Sequence, residues 1–189
     1  MKTLKLNYLT STDDLRPSLQ HIQFNENGYV YASDGKVLIK STMYDTFGVN
    51  FAELQELWDE HKEIHVHSSE WKKIAGKELL SCNVLMEADN KAIVQFKDRK
   101  SEYTVTFITN DYESFPQCER VIPSEELMEI DKIGIDGALF NQLTMCVKGS
   151  VGITQFKLEF RGNKKGIILT NKELVETIFL LMPFNVEEY

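Results

Sequence analysis

The sequence predicts an α+β chain dominated by antiparallel sheet, with a few helices packed on one side. Three observations predict it. Short runs of alternating or β-branched apolar residues recur along the whole chain. The breaks between them are turn pairs such as Asn27-Gly28, Asp34-Gly35 and Asp89-Asn90, suited to tight hairpins. A plan of strand, helix and three strands recurs three times, with corresponding turns roughly 60 to 70 residues apart, so the chain is built from βαβββ units.

In the first unit, residues 3–8 read as a strand, and residues 10–17 stand where the helix belongs. Pro17 limits any helix there because it disfavours helical geometry in Arg16 before it. Residues 19–24, 29–32 and 37–40 then supply three strands around the two glycine turns. An insertion at 44–62 places Phe51, Leu54, Leu57 and Trp58 on one helical face, with Glu53, Glu56, Asp59 and Glu60 outside. It reads as a helix covering one end of the sheet, or as a helix that binds a partner.

The second unit is the clearest. Residues 64–67 alternate as a strand, and Ser68 or Ser69 caps a helix running to about Leu80. Its apolar stripe is Trp71, Ile74, Ala75 and Leu79. Strands follow at 83–88, 92–97 and 103–109. In the third unit, residues 132–136 read as a strand and 137–147 as a helix with Leu139, Phe140, Leu143 and Val147 on one side. Strands at 155–160, 167–170 and 177–182 complete it.

The 189 residues suffice for one large or two small domains without a disulfide or metal staple. Apolar residues make up 42% and charged residues 26%, an ordinary globular balance that argues against disorder. A net charge of −8 excludes a general polycation, although a local basic strip could still meet nucleic acid. No apolar run reaches membrane-span length and the first residues lack a signal-peptide core, so a cytoplasmic location is expected. Cys82, Cys118 and Cys146 are scattered and odd in number, which fits reduced structural residues.

Catalytic signatures are missing: there is no GxSxG, no P-loop, and no GxGxxG after a strand. Asp13-Asp14 reads as a turn start. His65 and His67 form an HxH pair with His61 near, a conceivable metal site, but no further ligand joins them at the right spacing. They read as solvent-facing residues of a half-buried strand. No catalytic residue, metal or cofactor is expected.

Four strings carry a resemblance. Residues 15–24 (LRPSLQHIQF), 31–38 (YASDGKVL), 115–123 (FPQCERVIP) and 180–184 (LLMPF) resemble, in order, conserved-type strings of bacterial DNA sliding clamps, the β-subunit processivity factors of DNA polymerase III. The resemblance implies a DNA-clamp-like fold. Residues 1–123 would correspond to the clamp's middle domain with its first helix eroded, and 124–189 to the C-terminal half of its last domain. A clamp ring is built from pairs of such units, whereas three are present here.

Clamps make no bonds. They surround duplex DNA and offer a hydrophobic groove to short peptide motifs of polymerases and other replication or repair proteins. Carried over by position, the groove would comprise Arg16, Leu19, Ser33, Gly35, Val37, Leu38, Pro123, Met182, Pro183 and Phe184. Aliphatic walls and a flexible methionine suit an anchor side chain. His21 stands where the family has glycine, Lys36-Val37 where it has His-Arg, and Phe184-Asn185 where it has Met-Arg, which predicts a less basic groove. Duplex DNA would require lysines on a helix face; Lys72, Lys73 and Lys77 in the second unit and Lys148 in the third are the candidates. Glu70 and Glu78 offset the first three, and a solvated face is the plainer reading. Lys164-Lys165 reads as a solubilised turn. The expected function is therefore a non-catalytic clamp-like factor that binds peptides and could encircle DNA as a homo-oligomer. The alternative is a monomeric adaptor or decoy of the same fold.

Overall fold

A computed structural model describes residues 1–109, 115–124, 126–127, 132–162 and 165–184. In chain order the strands are β1 (His21–Phe24), β2 (Val30–Ser33), β3 (Val37–Ser41), β4 (Ile64–His67), β5 (Ser81–Ala88), β6 (Lys91–Lys97), β7 (Glu102–Ile108), β8 (Lys157–Glu159), β9 (Ile167–Asn171) and β10 (Leu174–Leu181). They form one antiparallel sheet in the order β5-β6-β7-β4-β1-β2-β3-β10-β9-β8. Turn chemistry sets the hairpins. Asp89 and Asn90 both take positive φ, 53° and 61°, which matches the turn twist to the flanking strands β5 and β6.

The joint between β3 and β10 decides the architecture. Ile39 pairs with Phe179 and Val37 with Leu181, so the N-terminal and C-terminal units share one hydrogen-bonded sheet. One apolar core runs through both, from Leu4 and Ile22 to Leu169 and Leu181. The sheet thus crosses the expected boundary at residue 123 without interruption among the described residues.

Four α-helices are described: α1 (Met43–Phe47), α2 (Ala52–His61), α3 (Ser68–Trp71) and α4 (Gly137–Val147). Helix α2 buries Leu54, Leu57 and Trp58 and packs against β5, while the Trp58 indole donates to the Asn25 carbonyl at 2.9 Å. It is a packing helix. Helix α4 begins where Asp136, expected from the sequence to end a strand, caps it by accepting from the backbone N–H groups of Ala138 and Leu139. All three cysteines are buried and unpaired.

Three expected elements are not formed as regular structure. Residues 3–8 are not a strand. Leu4, Leu6 and Leu9 are fully buried, and the chain threads the core before a 3-10 turn at Leu6–Tyr8. Its backbone N–H groups find scattered partners instead of a ladder: Thr3 donates to Lys77, Leu4 to Thr46 and Lys5 to Cys146. The long helix from Ser68 stops at Trp71. Gly76 adopts φ +73° and donates to the Thr3 carbonyl at 2.9 Å, so docking onto the N-terminal segment replaces further helical turns. The strand at 132–136 is reduced to one bridge between Gly134 and Phe184.

Candidate peptide-binding groove

The Ser33–Val37 turn is a locked corner. Ser33 Oγ donates to the Val37 carbonyl at 2.7 Å and accepts from Gly35 N–H at 3.0 Å. Asp34 Oδ1 accepts from the backbone N–H groups of Lys36 and Val37 at 2.8 and 2.9 Å. Gly35 itself sits at φ +91°, and a Cβ there would lie 3.0 Å from Arg16 Nη1. A glycine is therefore needed for both backbone conformation and the close approach of the guanidinium. Met182 N–H donates to the Lys36 carbonyl at 2.9 Å, which brings the end of β10 to the same corner.

The opposite wall is the segment 115–124. Phe115 and Cys118 pack into a second apolar cluster with Tyr31, Leu38, Ile168 and Leu180. Glu119 anchors the wall from its other side: it accepts from the Tyr31 hydroxyl at 2.5 Å and from Lys40 Nζ at 2.6 Å. Burial alone would raise the Glu119 carboxyl, but the Lys40 and Tyr31 contacts outweigh it and hold it below its ordinary value. The Cys118 thiol is pushed by burial up to about 12, with Glu119 adding to the rise, so it stays protonated and inert.

Corner and wall enclose a cavity of about 520 Å³. Leu19, Ser33, Gly35, Val37, Leu38, Pro123 and Met182 line it, so seven of the residues marked in the sequence converge on one site. Arg16 stands beside it, against Gly35. Pro183 and Phe184 are not among the lining residues. Phe184 N–H donates to the Gly134 carbonyl at 3.1 Å, and its ring covers the space a Gly134 side chain would need. This turns Phe184 away from the groove.

The candidate lining did not include Arg120, Val121, Ile122, Lys165 and Leu180, which also line the cavity together with Lys36. The signal for Val121 and Ile122 was present as an apolar pair just before Pro123. Nothing local marked Lys165, which arrives through the β8–β9 connection. Lys36, Arg120 and Lys165 give the groove cations, and no carboxylate lines it among the described residues.

The lysines proposed for DNA do not form a helical stripe, because the helix that would carry them ends before Lys72. Lys73 is paired with Glu70 at 2.6 Å and also donates to the Thr104 carbonyl at 3.1 Å. Lys77 Nζ lies 5.4 Å from the centre of the Tyr103 ring. Lys72 is exposed, and Lys148 is exposed where α4 ends. Lys164 lies outside the described residues.

The HxH reading also changes. His65 is fully buried because β4 lies inside the sheet between β1 and β7, and its Nε2 lies 2.9 Å from Glu63. His67 Nδ1 sits 2.7 Å from Ser69 Oγ, and its ring meets His21 edge-on. The expectation of solvent-facing histidines on a half-buried strand fails for His65, while His67 is partly exposed. Among the described residues, the close grouping of possible ligand atoms is instead Glu60, His61 and Glu87, on the surface.

This arrangement of a long antiparallel sheet with sparse helices is found in solved structures. A DNA polymerase sliding clamp from Bacillus subtilis superposes with a TM-score of 0.60 at 8% identity, covering 95% of this chain and 60% of its own. The fold is that of a bacterial DNA sliding clamp. The β subunit of Streptococcus pyogenes DNA polymerase gives 0.58 at 12% identity, over 96% of this chain and 63% of its own. The Helicobacter pylori β clamp, solved with 3,4-difluorobenzamide, gives 0.55 at 12% identity, with coverages of 96% and 62%. The clamp fold is therefore present over nearly the whole chain, which spans about three fifths of those structures. No protein-family model matches the sequence, and no curated protein does. Among the described residues, no helix of this clamp fold is long and apolar enough to cross a membrane.

Proposed function

We propose that this chain is a non-catalytic, clamp-like processivity or partner-recruitment factor of the cytoplasm. Its groove receives short peptide motifs of a DNA polymerase or of other replication or repair proteins. The observation that supports this reading most is the convergence of Leu19, Val37, Leu38, Pro123 and Met182 on one cavity about 520 Å³ in volume. These residues come from four separate strings of the sequence, and the volume suits one or two anchor side chains. The division into a clamp-like part, 1–123, and a clamp-like half domain, 124–189, belongs to the same reading.

In its wider form the factor assembles as a homo-oligomer around duplex DNA. A second reading is a monomeric clamp-fold adaptor or decoy that does not encircle DNA. The observation favouring it is the placement of Lys72, Lys73 and Lys77, which do not present a common helical face to phosphates.

Fluorescence anisotropy with a labelled clamp-binding peptide from a polymerase tail tests the groove. Saturable binding that is lost in a Met182→Glu variant supports it, and binding that is unchanged in that variant removes it. Light scattering across protein concentration separates the two forms. A stable closed oligomer supports encirclement, and a monomer at every concentration supports the adaptor.

A further inference from the structure

The groove carries a charge pattern opposite to that of the molecule around it. The chain has 29 acidic residues against 21 lysines and arginines. Even so, the charged side chains lining the cavity among the described residues are Lys36, Arg120 and Lys165, all exposed. Two carboxylates next to lining residues are held by other partners. Asp34 holds the backbone of the β2–β3 turn, and Glu119 points to Tyr31 and Lys40 on the far side of the wall. The cations come from three distant parts of the chain, so their convergence is a property of the fold and not of a local charge run.

We infer that the groove selects an acidic apolar peptide: a segment with one or two hydrophobic anchors flanked by Asp or Glu. This deepens the proposed function and rests on it. A carboxylate flanking a seated anchor meets a rim whose charged side chains, among the described residues, are cations. Screening at physiological ionic strength acts over about 8 Å, so charge on the rim weighs more on a bound peptide than charge on distant surface. Leu38 and Met182 supply the apolar contact, and the rim supplies the discrimination. A basic peptide with the same anchors meets like charge at the rim as it docks.

The test uses fluorescein-labelled hexapeptides carrying two adjacent Leu or Phe anchors, with net charge varied from acidic to basic by Asp, Asn and Lys at the flanks. Anisotropy is read at low and high salt. The expected result is an affinity at least tenfold higher for the acidic than for the basic members, with a smaller ratio at high salt. A Lys36→Glu, Arg120→Glu, Lys165→Glu protein should reverse the order. All three side chains are exposed, so the fold should survive, and circular dichroism checks it. Equal affinity across the charge series overturns charge selection while leaving the groove in place. Failure of every peptide to bind, with the wild-type protein folded, overturns the groove and this inference together.

Discussion

Met182 donates its backbone N–H to the Lys36 carbonyl at 2.9 Å, fastening the end of β10 to the β2–β3 turn. Residues far apart in sequence thereby become one side of a single cavity. The contact is backbone to backbone, and Met182 remains 41% exposed. Leu38, its neighbour in the lining, is 3% exposed and belongs to the apolar cluster behind the wall.

That difference separates two substitutions that look alike in sequence. Met182→Glu should lower peptide affinity at least tenfold with the melting temperature nearly unchanged. Leu38→Ala should cost about 2–5 kcal/mol of stability, since it empties a packed position. Calorimetric melting and anisotropy on both variants check this. Equal loss of stability in the two would show that Met182 is part of the core.

The wall should loosen in acid. The Glu119 carboxyl is held below its ordinary value by Lys40 and Tyr31 against the opposing effect of burial. Its stabilising contribution is therefore present above the unfolded carboxylate pKa and is lost as pH falls through the lower folded value. Denaturant unfolding from pH 6 down to pH 3 should show a steeper decline in wild type than in Glu119→Gln. Parallel curves would mean that the carboxylate contributes nothing to the wall.

His21 should act over a different range. Burial depresses its pKa below 6.5, with the Pro17 carbonyl at 3.0 Å opposing and His67 assisting the depression. The unfolded chain takes up the proton first, so the contribution is full above 6.5 and falls as pH drops through the lower folded value. Stability should decline below neutrality, and His21→Gln should flatten that decline. An unaltered profile would exclude His21 as the titrating group.

The three lysines of the second unit should matter little to DNA. Replacing Lys72, Lys73 and Lys77 by Gln should change the slope of log K against log salt by no more than about one, because Lys73 is paired with Glu70 and Lys77 sits over the Tyr103 ring, which leaves Lys72. A change approaching three would restore them as a phosphate-binding face.

Legibility in the sequence followed the locality of the cause. The β5–β6 and β6–β7 hairpins were readable because Asp89-Asn90 and the alternation of β7 encode them within a few residues. Helix α4 was readable because Leu139, Phe140, Leu143 and Val147 recur at helical spacing, whereas its cap, Asp136, read as the end of a strand. The N-terminal strand was misread because Leu4 and Leu6 alternate like a strand but are buried on every side by elements distant in sequence. The helix after Ser68 was misread because its apolar spacing is helical, yet Gly76 and the Thr3 carbonyl hold the chain otherwise. In the groove, the lining from Leu19 to Leu38 was visible through its resemblance to the clamp strings. Lys165 and Arg120 were not, since a charge on a connection gains its role only when the fold closes around it.

The most direct measurement is a crystal structure of the protein grown with a polymerase-tail peptide. The expected result is peptide density in the cavity, with an apolar anchor in van der Waals contact with Leu38, Val37 and Met182. Peptide bound elsewhere on the sheet, or an empty groove at saturating peptide, would contradict the assignment of this cavity as the binding site.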